Sequence, residues 1–168
     1  MSTEIARPSG DQATVSVVVR VDQAVAFDVF TTEIDLWWKH GMRFRPGGRR
    51  PGALCFEPRA NGRVFESVRI RPGTTHVYEM GCVIAWDPPR RFVLVWRNTN
   101  FAPGESTEVE VRFESVESGT RVTVQHRGWS ALRSDHPARH VLERAAFSRM
   151  IGLWWGELMT SLREFVER

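Results

Sequence analysis

The sequence of 168 residues is poor in lysine and in long apolar runs. Lys39 is its single lysine, so arginine carries nearly all of the positive charge, which we attribute to coding bias. The formal net charge is only +3 at pH 7, whereas nucleic-acid binding requires basic residues gathered on one face. No apolar run approaches the length that spans a bilayer. We therefore expect neither nucleic acid as a partner nor insertion into a membrane.

Cysteine is also scarce. Cys55 and Cys82 show no CxxC or zinc-like spacing, and we expect two buried, reduced thiols in preference to a disulfide. The first residues, MSTEIARPSGDQ, are polar and lack the apolar core of a signal peptide. These features favour a cytoplasmic protein.

The common motifs of catalysis and cofactor binding are missing as well. The sequence has no GxSxG, no Walker loop, no dinucleotide fingerprint and no catalytic-cysteine signature. His136 and His140 are four residues apart, but no acidic residue completes an HExxH arrangement, so we expect exposed histidines. The sequence therefore predicts no metal and no cofactor, and it identifies no nucleophile.

Alternating apolar segments dominate what is present. The stretch Gly81–Arg97 holds two apolar runs that we expect to be strands, separated by Asp87-Pro88-Pro89-Arg90. Prolines favour a turn at this point and are not tolerated inside a central strand. The pattern predicts these further strands: Thr14–Val21, Ala53–Glu57, Gly62–Ile70, about Thr75–Trp86, Thr107–Glu114 and Thr120–Gly128.

Helical signals lie at the two ends of the chain. A helix is expected to begin near Gln23 after the N-cap Asp22, and a short second helix to run through Ile34 and Trp37-Trp38. A long amphipathic helix is expected over approximately Ala138–Glu167. Its predicted core stripe consists of Leu142, Ala146, Met150, Trp154, Leu158, Leu162 and Phe165.

This order of elements, with the residues that mark it, resembles the START-like helix-grip superfamily (SRPBCC). Within it the sequence is most similar to the branch of the C-terminal domain of the heat-shock-protein-90 ATPase activator. The matching segments are Ala26-Phe27…Phe30-Thr31, Ile34…Trp37-Trp38, Phe56-Glu57-Pro58-Arg59, Gly62-Arg63…Glu66, Gly81…Arg90, Thr107-Glu108-Val109…Phe113 and Thr120…His126-Arg127-Gly128-Trp129.

The resemblance implies an α+β fold in which a curved seven-stranded antiparallel sheet wraps around the long C-terminal helix. Two short helices follow the first strand. We expect residues 1–12 to form a flexible N-terminal tail and residues 13–168 to form a single START-like domain. Family members include lipid carriers, polyketide cyclases, hormone receptors and co-chaperone domains, so the fold leaves the function open.

Strand alternation singles out two polar residues on apolar faces. In Thr107–Glu114 the apolar Val109, Val111 and Phe113 are expected to face the helix, with Glu108, Glu110 and Arg112 facing solvent. The same alternation turns His126 inward beside Val122 and Val124, and Glu66 inward beside Val64, Val68 and Ile70.

A buried ionisable side chain needs a partner, so His126 and Glu66 are either anchors for a ligand or members of a structural network. They are also the candidates for a general acid or base. Neighbouring apolar side chains complete the candidate site. The residues expected to bind a ligand are Trp38, Glu66, Leu94, Trp96, Phe113, His126, Met150 and Trp154.

The loop Gly41–Gly52 contains Arg43, Arg45, Arg49 and Arg50. These arginines attract a carboxylate or phosphate on a ligand, or they belong to an ordinary solvated loop, which is the interpretation we favour.

Three functions stay open on the sequence. The first is binding of a small hydrophobic molecule between the sheet and the C-terminal helix. The second is a cyclase/dehydratase-type enzyme that uses His126 or Glu66, and the sequence does not decide whether the protein is an enzyme. The third is a protein-interaction, co-chaperone-like module whose pocket is filled by its own side chains. A homodimer is compatible with all three.

Overall fold

The computed structural model describes residues 12–97, 101, 104–129 and 144–168. The elements in chain order are β1 Gln12–Val19, α1 Gln23–Thr32, α2 Ile34–Trp37, β2 Gly52–Phe56, β3 Arg63–Arg71, β4 Thr74–Asp87, β5 Arg91–Trp96, β6 Thr107–Val116, β7 Gly119–Arg127 and α3 Arg144–Val166. The predicted helix-grip architecture is confirmed. The predicted N-terminal tail and the predicted start of the long helix at Ala138 lie outside the described residues.

The seven strands form one antiparallel sheet in the order β1-β7-β6-β5-β4-β3-β2. Consecutive strands from β2 to β7 are neighbours because short turns join most of them, and β1 returns to pair with β7. The turn between β6 and β7 requires glycine at position 119: its φ is +145°, and a Cβ there would lie 2.1 Å from the Val19 carbonyl oxygen.

The helices α1 and α2 cover one part of the sheet with aromatic side chains. Phe27 and Phe30 of α1 are buried and form ring contacts with Phe92 of β5 and Phe113 of β6, at centroid distances between 5.0 and 5.9 Å. We call these four residues the phenylalanine cluster. It fixes α1 against the inner faces of β5 and β6.

The long helix α3 packs chiefly against β1, and its buried side includes Leu158 and Leu162 of the predicted stripe. Trp155, Leu158, Met159 and Leu162 are buried, whereas Trp154 is only half-buried. Trp154 and Trp155 are adjacent in sequence, so both satisfy a helical apolar pattern, and only the packed partner decides which one is covered. At this position of the predicted stripe, Trp155 is therefore the buried residue in place of Trp154.

The alternation predicted for β6 is confirmed on the inner face and needs correction on the outer face. Val109, Val111 and Phe113 are all buried. Glu110, expected to face solvent, is also buried, because the guanidinium groups of Arg91, Arg112 and Arg127 cover it from the outside at 2.8 to 3.0 Å. These arginines hold the pKa of Glu110 at about 2, against the effect of its burial, which acts to raise that pKa.

Candidate functional site between the sheet and the C-terminal helix

Four indole rings meet at the N-terminal half of α3. Trp38 follows α2, Trp96 ends β5, and Trp154 and Trp155 lie on α3. The ring centroids of Trp38 and Trp155 are 5.6 Å apart, those of Trp154 and Trp155 are 5.0 Å apart, and Trp96 lies between 6.1 and 6.4 Å from the other three. We call these four residues the indole cluster. Aromatic pairs at such distances contribute stability beyond the area they bury.

The loop between α2 and β2 adds a phenyl ring to this cluster. Phe44 stacks on Trp154 at 5.8 Å with an interplanar angle of 19°. Two indole N–H groups hold the loop in place: Trp38 Nε1 donates to the Phe44 carbonyl at 2.9 Å, and Trp154 Nε1 donates to the Arg43 carbonyl at 2.7 Å. The Arg43 guanidinium also lies 3.1 Å from the Glu157 carboxylate.

His126 of β7 lies beside the indole cluster and is buried, as the alternation predicts. Trp155 Nε1 donates to His126 Nδ1 at 3.2 Å, and Thr107 Oγ1 lies 2.7 Å from His126 Nε2. Burial lowers the pKa of His126 from 6.5 to about 3, so the ring is neutral at physiological pH.

These contacts assign the tautomer of His126. An indole N–H only donates, so Nδ1 accepts and carries no proton. The single proton of the neutral ring is therefore on Nε2, which donates to the Thr107 hydroxyl. Both ring nitrogens are engaged by protein groups, and a proton transfer to a substrate would first require one of these hydrogen bonds to break.

Glu66 of β3 is also buried, but its partners belong to a different part of the fold. Its Oε1 accepts from the Gly47 N–H at 2.6 Å. Gly52 lies opposite, where a Cβ would be 2.9 Å from Glu66 Oε2, so the absence of a side chain makes room for the carboxylate. Glu66 therefore fastens the loop between α2 and β2 to the sheet.

His126 and Glu66 do not form one site. They belong to β7 and β3, which are separated by β6, β5 and β4 in the sheet. Four steps of about 4.8 Å place them roughly 19 Å apart along the sheet surface. The arrangement brings His126 to the indole cluster, whereas Glu66 bonds to the Gly47 N–H of the loop between α2 and β2.

The other residues expected to bind a ligand are divided among neighbouring clusters. Trp38, Trp96 and Trp154 belong to the indole cluster, and Leu94 is buried on the same strand as Trp96. Phe113 belongs to the phenylalanine cluster. Met150 is half-buried and packs against the small cluster of Ala13, Trp129 and Phe147.

Several residues next to His126 or the indole cluster did not figure among the candidates. Trp155 and Thr107 hydrogen-bond to His126, and Phe44 stacks on Trp154. Trp155 follows Trp154 directly in the sequence, and this pairing was the available signal for Trp155. Phe44 is the one aromatic residue in a loop rich in glycine and arginine. An isolated aromatic residue in such a loop indicates a packed position, but helix and strand periodicity does not detect it.

One loop arginine departs from the expectation of a solvated loop. The Arg45 side chain is 1% exposed, and its guanidinium donates to Asp35 Oδ1 at 2.6 Å and to the Trp38 carbonyl at 2.9 Å. Burial acts to raise the pKa of Asp35, but the Leu54 N–H and the Arg45 guanidinium outweigh it and lower that pKa. Arg45 thus binds a carboxylate of its own chain.

The described residues contain no group of three or more His, Cys, Asp and Glu side chains arranged to hold a metal ion. The predicted histidine pair His136 and His140 lies outside that part of the chain. Cys55 and Cys82 are free, as expected, but half-buried instead of buried, and burial raises the pKa of the Cys55 thiol. None of the described helices combines the length and apolar character needed to traverse a bilayer.

Comparison with known proteins places this arrangement in a family. No curated protein matches the sequence significantly. Solved structures share the fold. A protein from Nitrosomonas europaea has 15% identity and a TM-score of 0.60, with 96% of this chain and 97% of that chain covered. The solution structure of the Aha1 dimer from Colwellia psychrerythraea has 15% identity and a TM-score of 0.60, with 93% and 96% covered.

A third structure, a protein of unknown function from Staphylococcus aureus, has 10% identity and a TM-score of 0.63, with 93% of each chain covered. At these identities the likeness extends to the fold alone. The profile of the family described as Activator of Hsp90 ATPase homolog 1-like protein matches residues 20–167, which is nearly the whole chain. The chain therefore belongs to the Activator of Hsp90 ATPase homolog 1-like family.

Proposed function

We propose that the protein binds a small hydrophobic molecule against the indole cluster. The observation that carries this proposal is the position of Trp154. Its half-buried ring continues a series of buried indoles and leaves part of an aromatic surface uncovered. A flat apolar ligand stacked there would bury surface that the protein itself leaves accessible.

The proposed recognition is mainly apolar. Burial of about 200 Å² of apolar surface would contribute roughly 5 kcal/mol at ~25 cal/mol per Å², before the cost of association. His126 borders the site as a neutral ring whose nitrogens are already hydrogen-bonded. We infer that it shapes the wall of the site and does not anchor the ligand.

The same hydrogen bonds give less support to a cyclase/dehydratase-type enzyme. An acid or base must reach the proton that it transfers. Both ring nitrogens of His126 are hydrogen-bonded, and the Glu66 carboxylate already accepts a hydrogen bond from the Gly47 N–H. The protein-interaction candidate has one observation in its favour: Trp38, Trp96 and Trp155 are each at most 4% exposed and contact one another. A protein-interaction module of this kind requires that the protein's own side chains fill the space between the sheet and the helix.

Two further proposals concern the state of the protein in the cell. We infer homodimerisation, which is supported only by the dimer named in the Colwellia structure, and size-exclusion chromatography with light scattering would test it. A cytoplasmic location is supported by the two free cysteines.

Titration with N-phenyl-1-naphthylamine, a neutral apolar fluorophore, tests the ligand proposal. We expect saturable binding with one probe per chain, and a loss of affinity of tenfold or more in Trp154→Ala. Trp86→Ala is the matched control, because Trp86 is also a half-buried tryptophan but contacts Phe27 and Phe56 elsewhere in the sheet. Absence of saturable binding, or an equal loss in both variants, would overturn the proposal and favour the interaction module.

A further inference from the structure

Four exposed arginines gather at one corner of the sheet. Arg49 and Arg50 precede β2, while Arg69 and Arg71 end β3. The two segments are adjacent because the Arg69 N–H donates to the Pro51 carbonyl at 3.1 Å. We call these four residues, together with Met42, the arginine corner.

No ion pair within the described residues compensates the charge of this corner. Within the described part of the chain, none of the four arginines forms an ion pair, whereas nine other arginines do. The formal net charge of the protein is +3, so loss of these four charges would leave −1. A cluster of like charges destabilises the folded chain slightly, and packing gives no reason for it.

An apolar side chain lies beside these charges. Met42 is 74% exposed, and its Cγ would be 3.4 Å from a Cβ placed on Gly48, next to Arg49. The loop that carries Met42 is fixed at two points after this residue, by the buried Arg45 guanidinium and by the Gly47 N–H bonded to Glu66. The corner is thus a preorganised surface, which lowers the entropy lost on binding.

We propose that the arginine corner docks an acidic segment of a partner protein. Guanidinium groups match carboxylates with two parallel hydrogen bonds. Arginine and methionine are enriched in protein–protein interfaces. Four charges on one corner are few for a nucleic acid, which is bound along a longer basic track. None of the residues of the arginine corner belongs to the indole cluster, and this inference does not depend on ligand binding there. If the protein is an interaction module, the arginine corner is the surface at which we expect its partner to bind.

Fluorescence anisotropy with a labelled deca-glutamate peptide tests this inference. We expect binding at 50 mM NaCl that weakens at 200 mM and falls at least tenfold when Arg49, Arg50, Arg69 and Arg71 are all replaced by Ser. The charge-matched control replaces four other exposed arginines that form no ion pair in the described residues, namely Arg121, Arg149, Arg163 and Arg168. That control should bind within twofold of the unmodified protein.

Circular dichroism and thermal melting verify that both quadruple variants fold, since none of these side chains is buried. Equal losses in the two variants would show a dependence on net charge alone and would overturn the inference. Binding of phosphatidylserine vesicles or of a 20-mer DNA through the corner with higher affinity than the peptide would overturn the choice of partner. N-phenyl-1-naphthylamine titration of the corner variant should be unchanged, so failure of one proposal is distinguishable from failure of the other.

Discussion

The buried His126 makes the stability of the protein dependent on pH between about 6.5 and 3. Its pKa is about 3 in the folded protein and about 6.5 in the unfolded chain, because burial disfavours the charged ring. Its described contacts are Thr107, Trp96, Trp129 and Trp155, which carry no charge.

The sign of the effect follows from the direction of the shift. Since the folded-state pKa is depressed, the unfolded chain binds a proton as the pH falls below 6.5 while the folded protein does not. Stability is therefore lost as the pH falls from about 6.5 toward 3. Proton linkage gives a loss of about 2 kcal/mol between pH 7 and pH 5 from this one group. The carboxylates with lowered pKa, such as Glu110, contribute their own losses only below about pH 4.5.

Urea unfolding at pH 7 and pH 5 measures this loss. We expect His126→Gln to be less stable than the unmodified protein at pH 7 by about 1–3 kcal/mol, because two buried hydrogen bonds are disturbed. The difference should shrink by about 2 kcal/mol at pH 5, since the variant has no imidazole to protonate on unfolding. His76→Gln is the control, because His76 is exposed on β4. Parallel stability curves for the unmodified protein and His126→Gln would refute the reasoning.

Three other substitutions are predicted to change the free energy of unfolding. Asp35→Asn should lower the free energy of unfolding by about 2–3 kcal/mol, because it removes the charge that pairs with the buried Arg45 guanidinium. The Asp35 carboxylate is itself 38% exposed, so this loss is smaller than for a fully buried ion pair. Urea unfolding measures the loss. Glu110→Gln should lower the free energy of unfolding at pH 7 by about 1–2 kcal/mol, a range that allows for the solvent exposure of the arginine partners. Because the pKa of Glu110 is lowered in the folded protein, the difference in stability between variant and unmodified protein should vanish as the pH falls from 4.5 toward 2. A difference that stays constant across that pH range would contradict the prediction. Gly52→Ala should lower the melting temperature, at a cost of about 1–3 kcal/mol, because a Cβ would lie 2.9 Å from the carboxylate of Glu66. Gly152→Ala, in the open on α3, is its control and should stabilise by up to about 1 kcal/mol.

The fold was predictable because its signals are local. Each hairpin is marked by a turn between alternating segments, such as Asp87–Arg90 between β4 and β5. Inward positions repeat every second residue, which placed Val109 and Val111 of β6 correctly. The burial of Trp155 in place of Trp154 on α3 was not predictable from the same kind of signal. Trp154 and Trp155 both fit an amphipathic helix, and the hydrogen bond from Trp155 to His126 involves a residue on another element.

The site was less predictable because charges can be buried by partners distant in sequence. Arg45 looks like one of several loop arginines, yet it is buried on Asp35, ten residues away. Glu110 occupies an outward position, yet Arg91 and Arg127, 19 and 17 residues away, cover it. Composition and alternation describe single residues or single strands. The burial of these charges depends on pairs that only the folded sheet brings together.

The two polar residues found on apolar faces, His126 and Glu66, show what alternation can and cannot establish. The pattern that detected them was the same, a polar residue in phase with apolar neighbours, and both are buried. A buried polar side chain with its own partners is structural, whereas one without them is available to a ligand, and alternation does not distinguish these cases. For His126 the partners lie 19 and 29 residues away, on β6 and α3, and for Glu66 the partner is a backbone N–H in a loop. The half-buried ring of Trp154, not these two polar groups, therefore locates the surface at which we expect a ligand.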